Sequence, residues 1–448
     1  MVKAKSSYVC QQCGASYPKW AGKCDNCGSW NSLVEQMPIA EGKSVVARSR
    51  GRQIQAELIK DVKLDKVSTR IKTGIADLDT VLGGGLMAGG VVLVAGQPGI
   101  GKSTILMQIA SYVAKGKKVL YASGEESASQ VKLRAERLGA VGDNQLYLAA
   151  TTSADDIAAT IAEGSYDLAI VDSMQTIAMA EISSAAGTVS QITNCANAII
   201  RAAKTANTSV ILVGHITKDG AIAGPKILEH LVDVVLNFEG DRYGGFKMVR
   251  AVKNRFGSTS EVAIFDMTQE GLKIVENPSA ALLAERTDTD GSIVLASMEG
   301  NRPLLVEIQA LVNHTNFGYA KRAASGFDTN RLTLLIAVLE RRTKLDLSDK
   351  DVFINVVGGI KLNDRAADLA VCMSIASTAA ERKLRDGAVV FGEVGLGGEI
   401  RSAVQSEKRI AEAQKLGFKY AIAPKSAARS KFVVPAVDLR DALNQHLR

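Results

Sequence analysis

Val91-Val92-Leu93-Val94-Ala95-Gly96-Gln97-Pro98-Gly99-Ile100-Gly101-Lys102-Ser103-Thr104 is an apolar run that ends in the pattern G-x4-G-K-S. Five apolar residues in a row suit a strand buried on both faces, as in a parallel sheet covered by helices on two sides. The glycines let backbone N–H groups curl round a phosphate. Lys102 is then placed to reach the β- and γ-phosphates, and Ser103 to give a hydroxyl to Mg2+. Behind the loop, Ile105, Leu106, Ile109, Ala110 and Val113 recur at helical spacing, so the context is strand, loop, helix. The expectation is an ATP site held by residues 96–104.

Downstream the same alternation repeats. Residues 119–123 form a second strand candidate that ends at Gly124-Glu125-Glu126, where a carboxylate could polarise the water attacking a γ-phosphate; a plain surface acid pair is the other reading. Residues 168–172 read as a strand ending in Asp172, an acid suited to holding the Mg2+ shell. Residues 209–213 read as a fourth strand running to Gly214-His215, after a helix over 191–206. His215 either senses the nucleotide or satisfies a strand end. Alternating strands and helices predict an α/β fold with a mostly parallel sheet and its ligand at the carboxyl ends of the strands.

The chain has 448 residues, 46% of them hydrophobic, and a formal net charge of +7. That length suggests two or three domains with real cores, and the composition excludes a wholly disordered or collagen-like chain. No run approaches the roughly 18 apolar residues of a membrane span, and Met1 is not followed by an apolar signal core, so no membrane partner and a cytoplasmic location are expected. Residues 1–70 hold twelve Lys/Arg against six Asp/Glu, so most of the excess charge lies there. Four of the six cysteines form two knuckles, Cys10-x2-Cys13 and Cys24-x2-Cys27, each followed by glycine. Two such knuckles suit a closed, structural Zn2+ site of four thiolates. Cys195 and Cys372 sit in apolar surroundings and read as small core residues. Tyr17, Trp20, Trp30, Leu33 and Val34 supply the finger with apolar surface, and either tryptophan could stack on a base. Residues 36–70 are basic and weakly periodic, with Lys43, Arg48, Arg50 and Arg52, and read as a tether.

Several of these stretches resemble known families. Thr73-Gly74-Ile75, Leu82-Gly83-Gly84-Gly85-Leu86 and Gly101-Lys102-Ser103-Thr104 resemble the RecA superfamily of ATPases. Taken with Cys10-Gln11-Gln12-Cys13-Gly14, Tyr121-Ala122-Ser123-Gly124-Glu125-Glu126-Ser127 and Lys253-Asn254-Arg255-Phe256-Gly257, the whole chain is similar to the RadA (Sms) family of bacterial DNA repair proteins. The resemblance implies a RecA-like core and a homo-oligomer, a hexameric ring. It implies action on single-stranded and branched DNA with branch migration of intermediates made by the RecA recombinase, and a motor similar to ring helicases of the DnaB type. Lys253 and Arg255 are expected to project from a tight bend, as catalytic cations reaching the ATP of the next subunit or as contacts to DNA phosphate. The segment after the fourth strand corresponds to a DNA-facing loop, with Lys218 and Lys226 as phosphate contacts.

Asn277-Pro278 and the polar stretch to Gly291 mark a boundary, so the expected division is a C4 zinc finger over 1–35, a basic linker over 36–70, the ATPase over 71–276, a linker over 277–290 and a last domain over 291–448. Strand candidates at 293–296 and 304–312 and helix candidates at 329–343 and 364–382 make that last domain resemble the Lon protease domain. Ala366 falls where that family has its serine nucleophile and Glu407 nearest its lysine base, so peptidase activity is not expected. The rival to a DNA motor is a KaiC-like regulatory ring in which ATP drives assembly with protein partners.

Overall fold

The computed structural model describes residues 7–10, 15–30, 32–36, 58, 70–142, 145–215, 227–240, 245–315, 318–427 and 429–447. Cys13, most of the basic tether, Lys218 and Lys226 lie outside the described residues. The finger is a small antiparallel sheet of β1 (Ser7–Cys10), β2 (Ser16–Tyr17) and β3 (Leu33–Gln36), in the order β2-β1-β3. Its core is Cys10, Cys24 and Leu33, with Tyr8, Ala15, Tyr17 and Ala21 packed on them.

A nine-stranded sheet forms the body. Its strands are β4 (Val91–Gly96), β5 (Val119–Ser123), β6 (Leu146–Ala150), β7 (Leu168–Asp172), β8 (Ser209–His215), β9 (Val234–Gly240), β10 (Lys247–Asn254), β11 (Val262–Thr268) and β12 (Gly271–Ile274). In the order β12-β11-β10-β9-β4-β8-β7-β5-β6, the six strands from β9 to β6 are parallel, and β10, β11 and β12 extend one edge antiparallel. The helices are α1 (Ala76–Val81), α2 (Lys102–Ala114), α3 (Ala128–Arg137), α4 (Ala154–Gly164), α5 (Val189–Ala206) and α6 (Ile227–Leu231). The unbroken apolar run of β4 has a direct cause. Val92 and Val94 pack on one face against Ile105, Leu106 and Ile109 of α2, while Val91 and Leu93 pack on the other against Ile157 of α4 and Ile199 of α5. Each fully buried side chain of this kind contributes about 1.5–3 kcal/mol, so neither face of the strand tolerates polar residues. Cys195 and Cys372 are fully buried core residues, as read from their surroundings.

The last domain is a seven-stranded mixed sheet with helices. Its strands are β13 (Ser292–Glu299), β14 (Arg302–His314), β15 (Arg322–Ser325), β16 (Lys350–Val356), β17 (Ala388–Val390), β20 (Tyr420–Pro424) and β21 (Val433–Ala436), beside a small pair of β18 (Glu393–Val394) and β19 (Ile400–Arg401). Helices α7 (Pro278–Leu283), α8 (Thr329–Thr343), α9 (Asp368–Ala379), α10 (Ser406–Lys415) and α11 (Leu439–His446) complete it. Residues 277–290, expected to be a linker, carry α7: Asn277 caps it, Pro278 occupies its first turn, and Leu282 enters the core of the last domain. The helix expected over 364–382 begins with a 3-10 turn at Arg365–Ala367 before α9. Because α9 is buried nearly all round, it shows no amphipathic face.

The two large bodies share a core. Met248, Val262 and Ile264 of the antiparallel extension pack with Leu282, Ile293 and the rest of the last domain. Polar groups border that seam. Arg250 pairs with Glu239 at 3.0 Å and with Glu299 at 3.1 Å, and Arg302 pairs with Asp77 at 2.7 Å. Burial pushes the Glu299 carboxyl up to about 7 against the opposing pull of Arg250.

Candidate active site

The G-x4-G-K-S loop leaves β4 and opens α2, whose N-terminus carries no side-chain cap and no acidic residue in its first turn. Unpaired N–H groups and the positive end of the helix dipole therefore face whatever sits in the loop, which favours phosphate. Gly101 adopts φ 114°, and a Cβ there would come within 2.6 Å of Met267. The ammonium of Lys102 is buried and donates to Gly96 O at 2.9 Å and Gln97 O at 3.0 Å, and it lies 3.2 Å from His215 Nδ1. Its three protons thus have three acceptors, which assigns Nδ1 of His215 as an acceptor and puts the ring proton on Nε2. Burial pulls Lys102 down to about 8, opposed by the nearby charges of Asp172 and Glu125.

Strand register brings the other groups to the loop. Gly96 pairs with His215 across β4 and β8, and Ser123 pairs with Asp172 across β5 and β7. Asp172 is buried and accepts from the Tyr121 hydroxyl at 2.8 Å. Glu125 Oε1 lies 3.1 Å from His215 Nε2 and also accepts from the Ser173 hydroxyl. The hydrogen bond from His215, aided by Ser173 and the charge of Lys102, holds the Glu125 carboxyl down at about 2. Glu126 is turned elsewhere, into an ion pair with Arg134 of α3. Of the two adjacent acids, Glu125 is the one that faces the loop. Sequence reading missed Ser173 and Arg134 and left the partners of His215 open; the missing signal was cross-strand register.

The residues present fit a nucleotide and its metal. Asp172 and Glu125 lie near enough to Lys102 for their charges to act on it, and Ser103 follows Lys102 at the head of α2. The Lys253 to Gly257 turn takes a different form from the expected pair of projecting cations. Lys253 belongs to β10, and its amine folds back onto its own chain, donating to Glu229 O at 2.6 Å and Val232 O at 2.7 Å at the carboxyl end of α6. Arg255 is half-exposed and pairs with Asp233 at 3.2 Å. Asn254 donates to Val81 O at 3.1 Å, and Arg70 donates to Phe256 O at 3.0 Å. A Cβ on Gly83 would meet Phe256 O at 2.8 Å, so the triple glycine lets this turn dock closely on the chain after α1.

In the finger, the sulfurs of Cys10, Cys24 and Cys27 lie within 4.8 Å of one another, with Cys10 and Cys27 3.6 Å apart. The edge of a tetrahedron with Zn–S bonds of about 2.3 Å is about 3.8 Å, so the spacing fits zinc and is far too long for a disulfide. Tyr17 Oη lies 3.3 Å from Cys24 Sγ, and Gly28, at φ 74°, closes the second knuckle with its N–H on Cys24 O at 2.8 Å.

Residues 8–35 match a family model described as a rubredoxin metal binding domain, and residues 59–221 match one described as an AAA domain. The DNA repair protein RadA of Listeria monocytogenes is 47% identical over 430 residues, covering 95% of this chain and 94% of the relative. The chain belongs to the RadA family of DNA repair proteins. RadA of Halalkalibacterium halodurans is 47% identical over 431 residues, and RadA of Bacillus subtilis 46% over 430, each covering 95% of this chain and 93% of the relative. Among solved structures, the RadB recombinase is similar at 22% identity and a TM-score of 0.37, over 46% of this chain and all of that one. As a RadA-family chain, this protein combines a zinc-binding finger with an α/β, RecA-like, ATP-hydrolysing core. Among the described residues no helix is long and apolar enough to cross a membrane.

Proposed function

We propose that this protein is a DNA-dependent ATPase that works as a hexameric ring on single-stranded and branched DNA and promotes branch migration of recombination intermediates made by the RecA recombinase. The observation that carries the reading is the contact of His215 with both Lys102 and Glu125, at the point where β8 runs into the segment expected to face DNA. A group that touches the phosphate lysine and the carboxylate base, and that directly precedes the expected DNA segment in sequence, can couple the three.

ATP would supply the phosphoryl group, and a bound Mg2+ would neutralise the charge developing on it. With a nucleotide bound, Lys102 would exchange Gly96 O and Gln97 O for phosphate oxygens, and Asp172 and Ser103 would hold the metal shell. Glu125, while held by both His215 and Ser173, is too weak a base. Loss of the His215 hydrogen bond would release the carboxylate to accept from water, raising its pKa towards the ordinary range. Lys253 fixes the carboxyl end of α6, beyond that segment, while Arg255 is the cation available to the ATP of the next subunit. In the last domain Ala366 occupies the turn before α9 and offers no hydroxyl, so no acyl-enzyme forms and the domain serves as a platform for ring and DNA.

Phosphate release measured with and without single-stranded DNA, beside movement of a branched substrate, tests the reading. Stimulation by DNA together with branch movement is expected. An ATPase indifferent to DNA would favour the regulatory ring instead.

A further inference from the structure

We propose that Trp20 and Trp30 form a stacking site on the zinc finger for unpaired bases of single-stranded DNA. They are the only two tryptophans of the chain, and both stand in water, Trp20 57% and Trp30 73% exposed. Large apolar rings left in solvent at one place are the informative exception to burial. The finger does not need them for its core, which is closed by Cys10, Cys24 and Leu33 with Tyr8 and Tyr17. The fold nevertheless brings them together. Lys23 and Trp30 form an antiparallel bridge, and a Cβ at Gly22 would sit 3.8 Å from the Trp20 ring and 4.0 Å from the Trp30 ring. Both indoles therefore border the bare backbone of Gly22, where a flat ring can approach.

The charges beside them suit a phosphate backbone. Lys19 and Lys23 are exposed next to the two rings, and Lys23 Nζ lies 5.7 Å over the Trp30 ring. That ammonium guards an aromatic face in the free protein and can pass to a phosphate when a base takes its place. Indole faces with flanking cations are the combination that binds single strands with little sequence preference, because every unpaired base offers a π-face. A duplex hides those faces. The inference rests on the DNA reading above for its ligand, but it places that ligand on a different part of the chain.

Because both tryptophans lie in the finger, tryptophan emission of the intact, zinc-loaded protein reports on the finger alone. An oligothymidylate is titrated in while the anisotropy of a labelled copy reports binding anywhere on the protein. Emission quenched in step with anisotropy is expected, with no quenching by duplex. The Trp20→Leu/Trp30→Leu double variant, checked for retained zinc, is expected to bind the oligonucleotide about tenfold more weakly. Anisotropy that rises while emission stays constant would overturn the finger site and leave the motor standing, whereas no binding in either signal would remove both. Emission that follows protein concentration rather than DNA would show the indoles covered by another chain and would also overturn it.

Discussion

His215 Nε2 lies 3.1 Å from Glu125 Oε1, and the other nitrogen of the same ring lies 3.2 Å from the Lys102 ammonium. The carboxylate suited to activating water is thus tied, through one imidazole, to the lysine suited to holding phosphate. Breaking that tie should change how hydrolysis responds to DNA more than it changes nucleotide binding. His215→Ala is expected to bring the ratio of DNA-stimulated to basal phosphate release close to one; an unchanged ratio would discard the coupling role.

Glu125 and Glu126 are neighbours in sequence with different partners. Glu125→Gln should lower turnover about 100-fold or more with nucleotide binding kept. Glu126→Gln loses only its partly exposed ion pair with Arg134, worth under about 1 kcal/mol, and turnover should change little. Steady-state phosphate release on both variants decides it, and the opposite ranking would refute the assignment.

Lys102 has a pKa lowered to about 8, with burial as the first cause. Above that pH the empty site has lost its proton, while a bound phosphate holds it on, so binding takes up a proton and affinity falls as pH rises, by up to about tenfold per unit. The sign for stability is opposite: between about 8 and 10.5 the unfolded chain binds more protons at this residue, so the empty protein gains stability with pH there. Titration with a fluorescent ATP analogue from neutral to alkaline pH checks the affinity; a flat profile would contradict it.

Lys253 holds backbone carbonyls of residues 229 and 232. Lys253→Ala should leave nucleotide affinity within about twofold and abolish DNA-coupled branch movement, since the carboxyl end of α6 loses its cation. A branch-migration rate equal to that of the unaltered protein would remove the residue from the mechanism.

Arg409 is fully buried in the last domain and donates to Asp364 and to Ala296 O, each at 2.6 Å. Asp364 also accepts from Met298 N and Ala366 N at 3.0 Å. Arg409→Met would leave that largely enclosed carboxylate, its side chain 9% exposed, without its cation and should cost about 3–5 kcal/mol of domain stability, partly restored by adding Asp364→Asn. Urea unfolding of the two variants measures both effects.

Much of the α/β core was legible because its signals are local. The apolar run 91–95 alternates between two helix layers that both need apolar partners, so an unbroken run marks a parallel strand. The glycines at 99 and 101 answer a backbone need at their own positions, and the two CxxC knuckles carry their geometry within four residues each. Residues 277–290 were harder to read, because the polar stretch from Glu285 to Gly291 drew attention from a six-residue helix whose Ser279 and Leu282 are anchored by distant partners in the last domain.

The sequence by itself determined the α/β core, the glycine-rich turn between β4 and α2, the cysteine-bearing finger and the family. Tertiary structure alone decided which of Glu125 and Glu126 faces the loop, that His215 joins Lys102 to Glu125, and that Lys253 turns back on its own chain. The reason is physical. Strand period, glycine backbone freedom and ligand spacing are set within a few residues, whereas a hydrogen-bond partner across β4, β8, β7 and β5 depends on sheet order and register, and these are fixed only when distant segments pack.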